Sequence, residues 1–208
     1  MKSLATHRTS ALVQMSEASF AERKIVQPDD QWRIVAGMHA EPNGDLAVVW
    51  LGWEKDSEKD AGRIHLYDSW VFRRNESLPF IVDAIKQRGS WIPVSYEKAH
   101  EEIATKLGDK GVRVLRGPTN AIEGYDDSET LAAWNSREIN DRLNAGTMLV
   151  LDTNDEWIKE YDHFIERGGL VPQVGFPLMA ATRHAFHALK RSKKKPQPTK
   201  IVYEPVPA

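Results

Sequence analysis

Histidine and carboxylate side chains carry the chemistry available to this chain of 208 residues, because the sequence contains no cysteine. His39 ends an apolar run, and Asp45 follows the turn residues Asn43 and Gly44. Imidazole and carboxylate groups are ligands for divalent metal ions. The lack of cysteine excludes disulfides, thiolate metal sites and cysteine nucleophiles, and it agrees with a reducing compartment.

Histidines also fall in the predicted helices. His184 and His187 lie three residues apart, a spacing that places them on adjacent turns and can bind a metal. Because Arg183 and Lys190 flank them, we expect a solvated helix face instead. For His100, which precedes two glutamates, we expect an ordinary polar helix face in the same way.

Positive charge is concentrated near the C-terminus. The formal net charge is −2, yet six basic residues fall within the eleven positions 190–200. Such side chains can contact DNA phosphates, which adds affinity that depends on salt and not on base sequence. A solvated tail is the alternative. The candidate DNA contacts are Lys190, Arg191, Lys193, Lys194 and Lys195.

Several classes of function are excluded by what the sequence lacks. It contains no phosphate loop of the form G-x-x-x-x-G-K-S/T, and no nucleophile elbow of a Ser–His–Asp hydrolase. No apolar run approaches about 18 residues, so we expect no membrane partner. The first 24 residues lack the apolar centre of a secretory signal.

The strand pattern opens with a hairpin between Arg33 and Trp53. The apolar run Arg33–Met38 leads into the turn residues Glu41–Asp45, and a second β-rich run covers Leu46–Trp53. A third strand is predicted at Gly62–Phe72, which makes an antiparallel meander. Short buried strands follow at Trp91–Ser95, Val112–Leu115 and Met148–Leu151.

Helical spacing of apolar residues alternates with these short strands. Helices are predicted at Ser77–Arg88, Glu97–Leu107, Ser128–Asn144 and Leu178–Lys190. One more helix is predicted between the last two, and it begins at a cap formed by Asp152, Thr153 or Asn154. The order predicts an α/β fold with a mixed sheet flanked by helices. Residues 1–30 are interpreted as an arm, 31–191 as the domain and 192–208 as a basic, proline-rich tail.

This order resembles the ribonuclease H-like fold. The chain from Trp32 to Arg191 resembles, more narrowly, the nuclease domain of the terminase large subunit of tailed bacteriophages. Four stretches carry the resemblance: GMHAEPNGDLAVVWLG, WIPVSYEKAHEEIATKLGDKGVRVL, REINDRLNAGTMLVLDTNDEWIKEYDHF and FPLMAATRHAFHALKR. They resemble, in turn, the opening hairpin, the second acidic strand end, a helix–strand–helix run and the closing helix.

The resemblance implies hydrolysis of DNA by two Mg²⁺ or Mn²⁺ ions held by carboxylates. This chain departs from that pattern. His39 stands where the first aspartate is expected, whereas Glu97 matches the second acid and Asp45 the auxiliary aspartate. At the acidic position of the closing helix, the chain has the run 179–181, Met-Ala-Ala, which cannot bind a metal.

The resemblance leaves His39, Asp45 and Glu97 as candidate ligands, and His184 is a further candidate beside them. Imidazole and carboxylate together favour Mn²⁺ or Zn²⁺ over Mg²⁺. Each residue has an alternative role. His39 could be hydrogen-bonded to a neighbour in a site that has lost its activity. Glu97 could be a first-turn helix acid, and Asp45 could serve the turn.

The first functional hypothesis is a packaging protein that resembles the terminase nuclease module but is catalytically impaired. Its partners would be double-stranded DNA, a terminase ATPase or other packaging subunits, in the cytoplasm of a bacterial host. The alternative is an active endonuclease that depends on Mg²⁺ or Mn²⁺, with His39, Asp45 and Glu97 as catalytic candidates. A third reading is an interaction protein that reuses the fold.

Overall fold

The computed structural model describes residues 28–54, 62–117, 131–166 and 175–197. In these ranges the chain forms a mixed β-sheet with helices on both faces. The predicted fold class is confirmed, since three antiparallel strands come first and the parallel strands follow.

The sheet is built around the opening hairpin. The strands are β1 Arg33–Ala40, β2 Leu46–Glu54, β3 Arg63–Phe72, β4 Val94–Tyr96, β5 Val114–Arg116, β6 Met148–Val150 and β7 Lys193–Lys194. In the sheet they lie in the order β5-β4-β1-β2-β3-β6, and β7 pairs antiparallel with the start of β1. Strands β4 and β5 are parallel to β1, and β6 is parallel to β3.

The helices follow the predicted order. Their bounds are α1 Leu78–Gly89, α2 Glu101–Asp109, α3 Leu131–Asn144, α4 Asp155–Glu166 and α5 Pro177–His187, with 3₁₀ turns at Lys98–His100 and Leu189–Arg191. Ser77 caps α1, because its hydroxyl accepts a hydrogen bond from the Phe80 N–H at 3.4 Å. The helix predicted to begin at Glu97 starts instead with a 3₁₀ turn. The predicted cap Ser128 lies outside the described residues.

Each face of the sheet has its own apolar core. Helices α3, α4 and α5 pack on one face, and α1 and α2 pack on the other. Strand β2 is buried on both faces, and its side chains alternate between the two cores. Trp50 and Trp157 are fully buried, one in each core, as expected from their apolar surroundings in the sequence.

Helix α5 lies directly against β1 because Gly37 has no side chain. A methyl group at Gly37 would overlap the backbone of Ala181 and Ala185 in α5. The small residues on both elements therefore allow the close approach. Among the described helices, α5 makes the most extensive contact with the sheet, spanning β1 and β2.

Replacing Gly37 with alanine is expected to lower the free energy of unfolding by about 1–3 kcal/mol, because α5 must move away from β1. Urea denaturation measures the change. The matched control is Gly108→Ala within α2, where the nearest atom to an added methyl is a Val114 methyl at 3.3 Å. At Gly108 the higher helix propensity of alanine offsets the free-energy cost of this close contact. Equal losses in both variants would contradict the close-packing account.

The chain after α5 returns to the sheet. Arg33 donates a hydrogen bond from Nη2 to the Ser192 carbonyl at 2.7 Å, and Lys193 and Lys194 pair with Ile34 and Arg33. None of the helices in the described ranges has the length and hydrophobicity needed to cross a membrane.

Candidate metal centre

Two strand ends meet at one edge of the sheet. Strands β1 and β4 are parallel, with Ala36 beside Val94 and Gly37 beside Ser95. Their C-terminal ends therefore point the same way, and His39 and Glu97 both lie at this edge. The structure thus brings together the residues that the sequence analysis had placed at the first and second metal-binding positions.

His100 joins His39 because the chain folds back after Glu97. The 3₁₀ turn Lys98–His100 carries His100 Nε2 to 3.0 Å from His39 Nδ1, and the two ring centroids lie 4.5 Å apart. Only 9% of His100 is exposed. The expectation that His100 lies on a polar helix face was wrong, because the fold-back turns its ring towards β1.

Helix α5 contributes a third imidazole. The ring centroid of His184 lies 6.0 Å from that of His39 and 6.2 Å from that of His100. Its side chain is 17% exposed, so the expected solvated face was wrong for His184, although His187 is exposed. The closing helix does present a possible ligand, one turn beyond the Met-Ala-Ala run, because its contact with Gly37 aligns His184 with the end of β1.

The three rings form the histidine cluster, which we define as His39, His100 and His184. One nitrogen atom from each ring lies within 4.8 Å of the corresponding atoms of the other two. In the part of the chain that the structure describes, this is the group whose geometry could hold a metal ion. Asp45 and Glu97 are not members of it.

Charged groups surround the histidine cluster. Glu41 Oε1 lies 3.5 Å from His39 Nε2, and Glu97 Oε2 lies 3.8 Å from His184 Nε2. Arg183, beside His184 in α5, is largely buried. Within the described residues, three buried polar atoms of this region have no hydrogen-bond partner: Glu41 Oε1, Arg183 Nη1 and His184 Nε2.

Burial favours the neutral form of the three imidazoles in the histidine cluster. Burial, followed by the proximity of His100 and Arg183, lowers the pKa of His39 to about 3. Burial also lowers the pKa of His100, and it holds the pKa of His184 well below the usual value, with the nearby imidazoles and Arg183 adding to the effect. Neutral imidazole is the form that binds metal ions, so these rings are ready ligands.

Asp45 is occupied by the hairpin turn. Its carboxylate accepts hydrogen bonds from the Arg74 N–H at 3.0 Å, Arg73 Nη1 at 3.2 Å and Asn43 Nδ2 at 3.3 Å. Burial alone would raise the pKa of Asp45, but these hydrogen bonds outweigh it and lower the pKa. These contacts agree with the alternative role given to Asp45, which is to stabilise the hairpin turn.

The candidate DNA contacts form an exposed basic segment, which we define as residues 190–195. Its five basic side chains are exposed. Arg191 Nη1 donates to the Arg116 carbonyl at 3.0 Å, at the end of β5, and Lys195 Nζ lies 2.9 Å from Asp30. The basic segment therefore lies along the edge of β1 that also pairs with β4.

The donor atoms at this edge do not fit a pair of Mg²⁺ ions. Mg²⁺ requires oxygen ligands, usually carboxylates, whereas the three atoms that lie within 4.8 Å of one another are imidazole nitrogens, and the Glu41 and Glu97 carboxylates lie outside that group. Imidazole suits Zn²⁺, Fe²⁺, Ni²⁺ and Cu²⁺. The histidine cluster fits one transition-metal ion, with His39, His100 and His184 as the residues that would hold it.

Sequence reasoning underrated His100 and did not single out Glu41. Both had a signal in the sequence. His100 comes three residues after Glu97, at the end of β4. If the chain turns back there, the His100 side chain lies at the same edge of the sheet as His39. Glu41 comes two residues after His39 and shares its side of the extended chain.

No protein-family model matches the sequence, and no curated protein matches it either. Solved structures do match the fold. The nuclease domain of the bacteriophage P22 large terminase is 20% identical, covers 81% of this chain and 87% of its own, and has a TM-score of 0.59. The large terminase nuclease of the thermophilic phage G20c with bound zinc is 11% identical, covers 77% and 83%, and has a TM-score of 0.51.

A third match concerns a longer protein. The large terminase of another thermophilic bacteriophage is 13% identical over 79% of this chain, with a TM-score of 0.52. This chain spans 41% of that terminase. At these identities the likeness concerns the architecture of the chain. The protein has the ribonuclease H-like fold of terminase large-subunit nuclease domains.

Proposed function

We propose that this chain is a bacteriophage genome-packaging protein that has lost two-Mg²⁺ nuclease activity and acts by binding DNA or a packaging subunit. The shared fold with terminase nuclease domains supports the packaging role. One observation carries the loss of activity. At the edge that the family's carboxylates would occupy, three imidazoles converge, Glu97 is the one matched acid that lies beside them, and Asp45 is engaged in the turn.

The basic segment supports DNA binding. Its side chains are exposed, and it is held to the sheet by β7 and by the Arg191–Arg116 hydrogen bond. A chain segment that is fixed in place loses less conformational entropy when it contacts phosphates than a free tail would. Strand β7 pairs with the start of β1, so Lys193 and Lys194 lie at the opposite end of that strand from His39.

The test combines DNA cleavage and DNA retention. Incubation of supercoiled plasmid with the full chain and ~5 mM Mg²⁺ should leave the plasmid intact, because Mg²⁺ binds imidazole poorly. Fluorescence anisotropy with duplex DNA should show binding that weakens with salt. Replacing Lys193, Lys194 and Lys195 with alanine should reduce the slope of log K against log salt by about 0.9 per phosphate contact removed.

A matched control uses a lysine elsewhere. Lys106→Ala removes an exposed lysine of α2 that is paired with Glu102, and it should leave the salt slope unchanged. If the full chain cleaves plasmid in Mg²⁺ and Glu97→Ala abolishes this cleavage, the proposed loss of nuclease activity is overturned. If DNA is not retained at low salt, the packaging role must rest on a protein partner, which pull-down with a terminase ATPase would identify.

The second candidate function is a metal-dependent endonuclease. The convergence of the histidine cluster beside Glu97 favours it, because a transition-metal ion could replace Mg²⁺. Nicking that requires Mn²⁺ or Zn²⁺ and is lost in both His39→Ala and Glu97→Ala would select this function. Nicking that survives in His39→Ala would point to a contaminating nuclease.

A further inference from the structure

We propose that His39, His100 and His184 bind a single transition-metal ion, of the Zn²⁺ or Co²⁺ class, through three imidazole nitrogens. This inference goes beyond the packaging role, and it stands or falls independently of DNA binding. His100 is central to it, because no position of the terminase resemblance assigns this residue a role.

The spacing of the nitrogen atoms suits one ion. Two nitrogens bound to the same tetrahedral Zn²⁺ at 2.0–2.1 Å lie about 3.3 Å apart. His39 Nδ1 and His100 Nε2 are hydrogen-bonded at 3.0 Å, which is close to ligand spacing, and an ion between them would replace this hydrogen bond. The third nitrogen lies within 4.8 Å of them, and a side-chain movement of roughly 1.5 Å brings it to the same ion.

Two unpartnered buried atoms point to the same conclusion. His184 Nε2 is buried without a hydrogen-bond partner in the described part of the chain, an arrangement that normally costs free energy. Glu41 Oε1 is also buried without a partner, 3.5 Å from His39 Nε2. When a histidine binds metal through one nitrogen, its other N–H usually donates to a carboxylate or a carbonyl. Glu41 is placed to accept that hydrogen bond.

The donor set defines the class of metal. Three imidazoles with no carboxylate in the group favour Zn²⁺, Co²⁺ or Ni²⁺, and they disfavour Mg²⁺ and Ca²⁺. Three protein ligands also leave a fourth position open for water or another ligand, as in many zinc enzymes. Arg183 nearby lowers the affinity for any cation, whereas Glu41 and Glu97 raise it.

The experiment titrates the full chain, prepared free of metal, with Zn²⁺ alone by isothermal calorimetry and with Co²⁺ by visible absorption. We expect one ion per chain, with the intense absorption of four-coordinate Co²⁺, and no heat with ~1 mM Mg²⁺. His100→Ala and His184→Ala should each weaken Zn²⁺ binding by at least about 100-fold. Glu41→Gln should weaken it by about 10–100-fold.

The matched control is His187→Ala, which removes an exposed imidazole from the same helix and should leave Zn²⁺ affinity unchanged. Circular dichroism confirms that each variant is folded. If His184→Ala does not fold, His100→Ala and Glu41→Gln decide the question, because both residues lie outside α5. Absence of Zn²⁺ binding, or equal affinity in wild type and His100→Ala, would overturn the proposal. DNA retention measured in chelator tests the packaging role separately.

Discussion

Replacing Arg88 with alanine is expected to lower the free energy of unfolding by about 3–5 kcal/mol, because it leaves the Asp68 carboxylate buried without its ion pair. Arg88 Nε donates to Asp68 Oδ2 at 2.6 Å, and Nη1 donates to the Ala84 carbonyl at 2.6 Å. The guanidinium also stacks on Trp50 and Trp70, with its carbon 4.5 and 4.9 Å from the ring centroids.

Urea denaturation of wild type and variant measures this loss. The control is Arg73→Ala, because Arg73 pairs with Asp45 at 3.2 Å but its side chain is 55% exposed. An exposed pair contributes at most about 1 kcal/mol. The double replacement Asp68→Leu with Arg88→Met should recover much of the loss, since it removes both buried charges. A loss in Arg88→Ala no larger than in Arg73→Ala would contradict this account.

Glu160 is expected to destabilise the protein as the pH rises through neutrality. Burial raises the pKa of Glu160 to about 7, with nearby Glu41 and Glu156 adding to the rise and hydrogen bonds from the Met179 and Leu178 N–H groups opposing it. The Met179 N–H donates to Glu160 Oε1 at 2.8 Å, so the carboxyl group caps the start of α5.

The sign follows from proton binding. Between the unfolded pKa near 4.5 and the folded pKa near 7, the folded protein holds a proton that the unfolded chain releases. The contribution of this proton to stability is complete below pH 4.5 and is lost as the pH rises through 7. This rise in the pKa of Glu160 corresponds to about 3 kcal/mol of the free energy of unfolding.

The variant Glu160→Gln keeps the hydrogen-bond acceptor and removes the titration. We expect it to match wild type near pH 4 and to exceed it by about 3 kcal/mol near pH 8, as measured by urea denaturation across this range. Glu102→Gln is the control. Its carboxylate has a pKa lowered by Lys106, so the difference should be small and of opposite sign. A Glu160→Gln difference that does not change with pH would refute the prediction.

The order of elements could be read from the sequence because it depends on local features. The Asn43–Gly44–Asp45 turn forms as expected, with Gly44 at a φ of +92° and the Asn43 side chain accepting from the Asp45 N–H. Helix bounds differ by a few residues where a 3₁₀ turn begins or ends a helix, since such ends depend on tertiary contacts.

The site was only partly predictable. The resemblance singled out His39 and Glu97, and His184 was a further candidate although its helix face was expected to be solvated; these three residues do lie together. It also included Asp45, whose hydrogen bonds belong to the turn. His100 was assigned to a solvated face because helical periodicity describes a continuous helix. The chain instead makes one 3₁₀ turn before α2, which changes the direction of that side chain.

The sequence by itself determined strands β1 to β6, the helices and the identity of the possible ligands, because periodicity and turn chemistry act between near neighbours, whereas β7 was not predicted. The tertiary structure decided which imidazoles meet. Parallel pairing of β1 with β4 places Glu97 and His100 beside His39, and the missing side chain of Gly37 lets α5 bring His184 to the same edge. These contacts join residues more than 60 and 140 positions apart, and no local pattern encodes them.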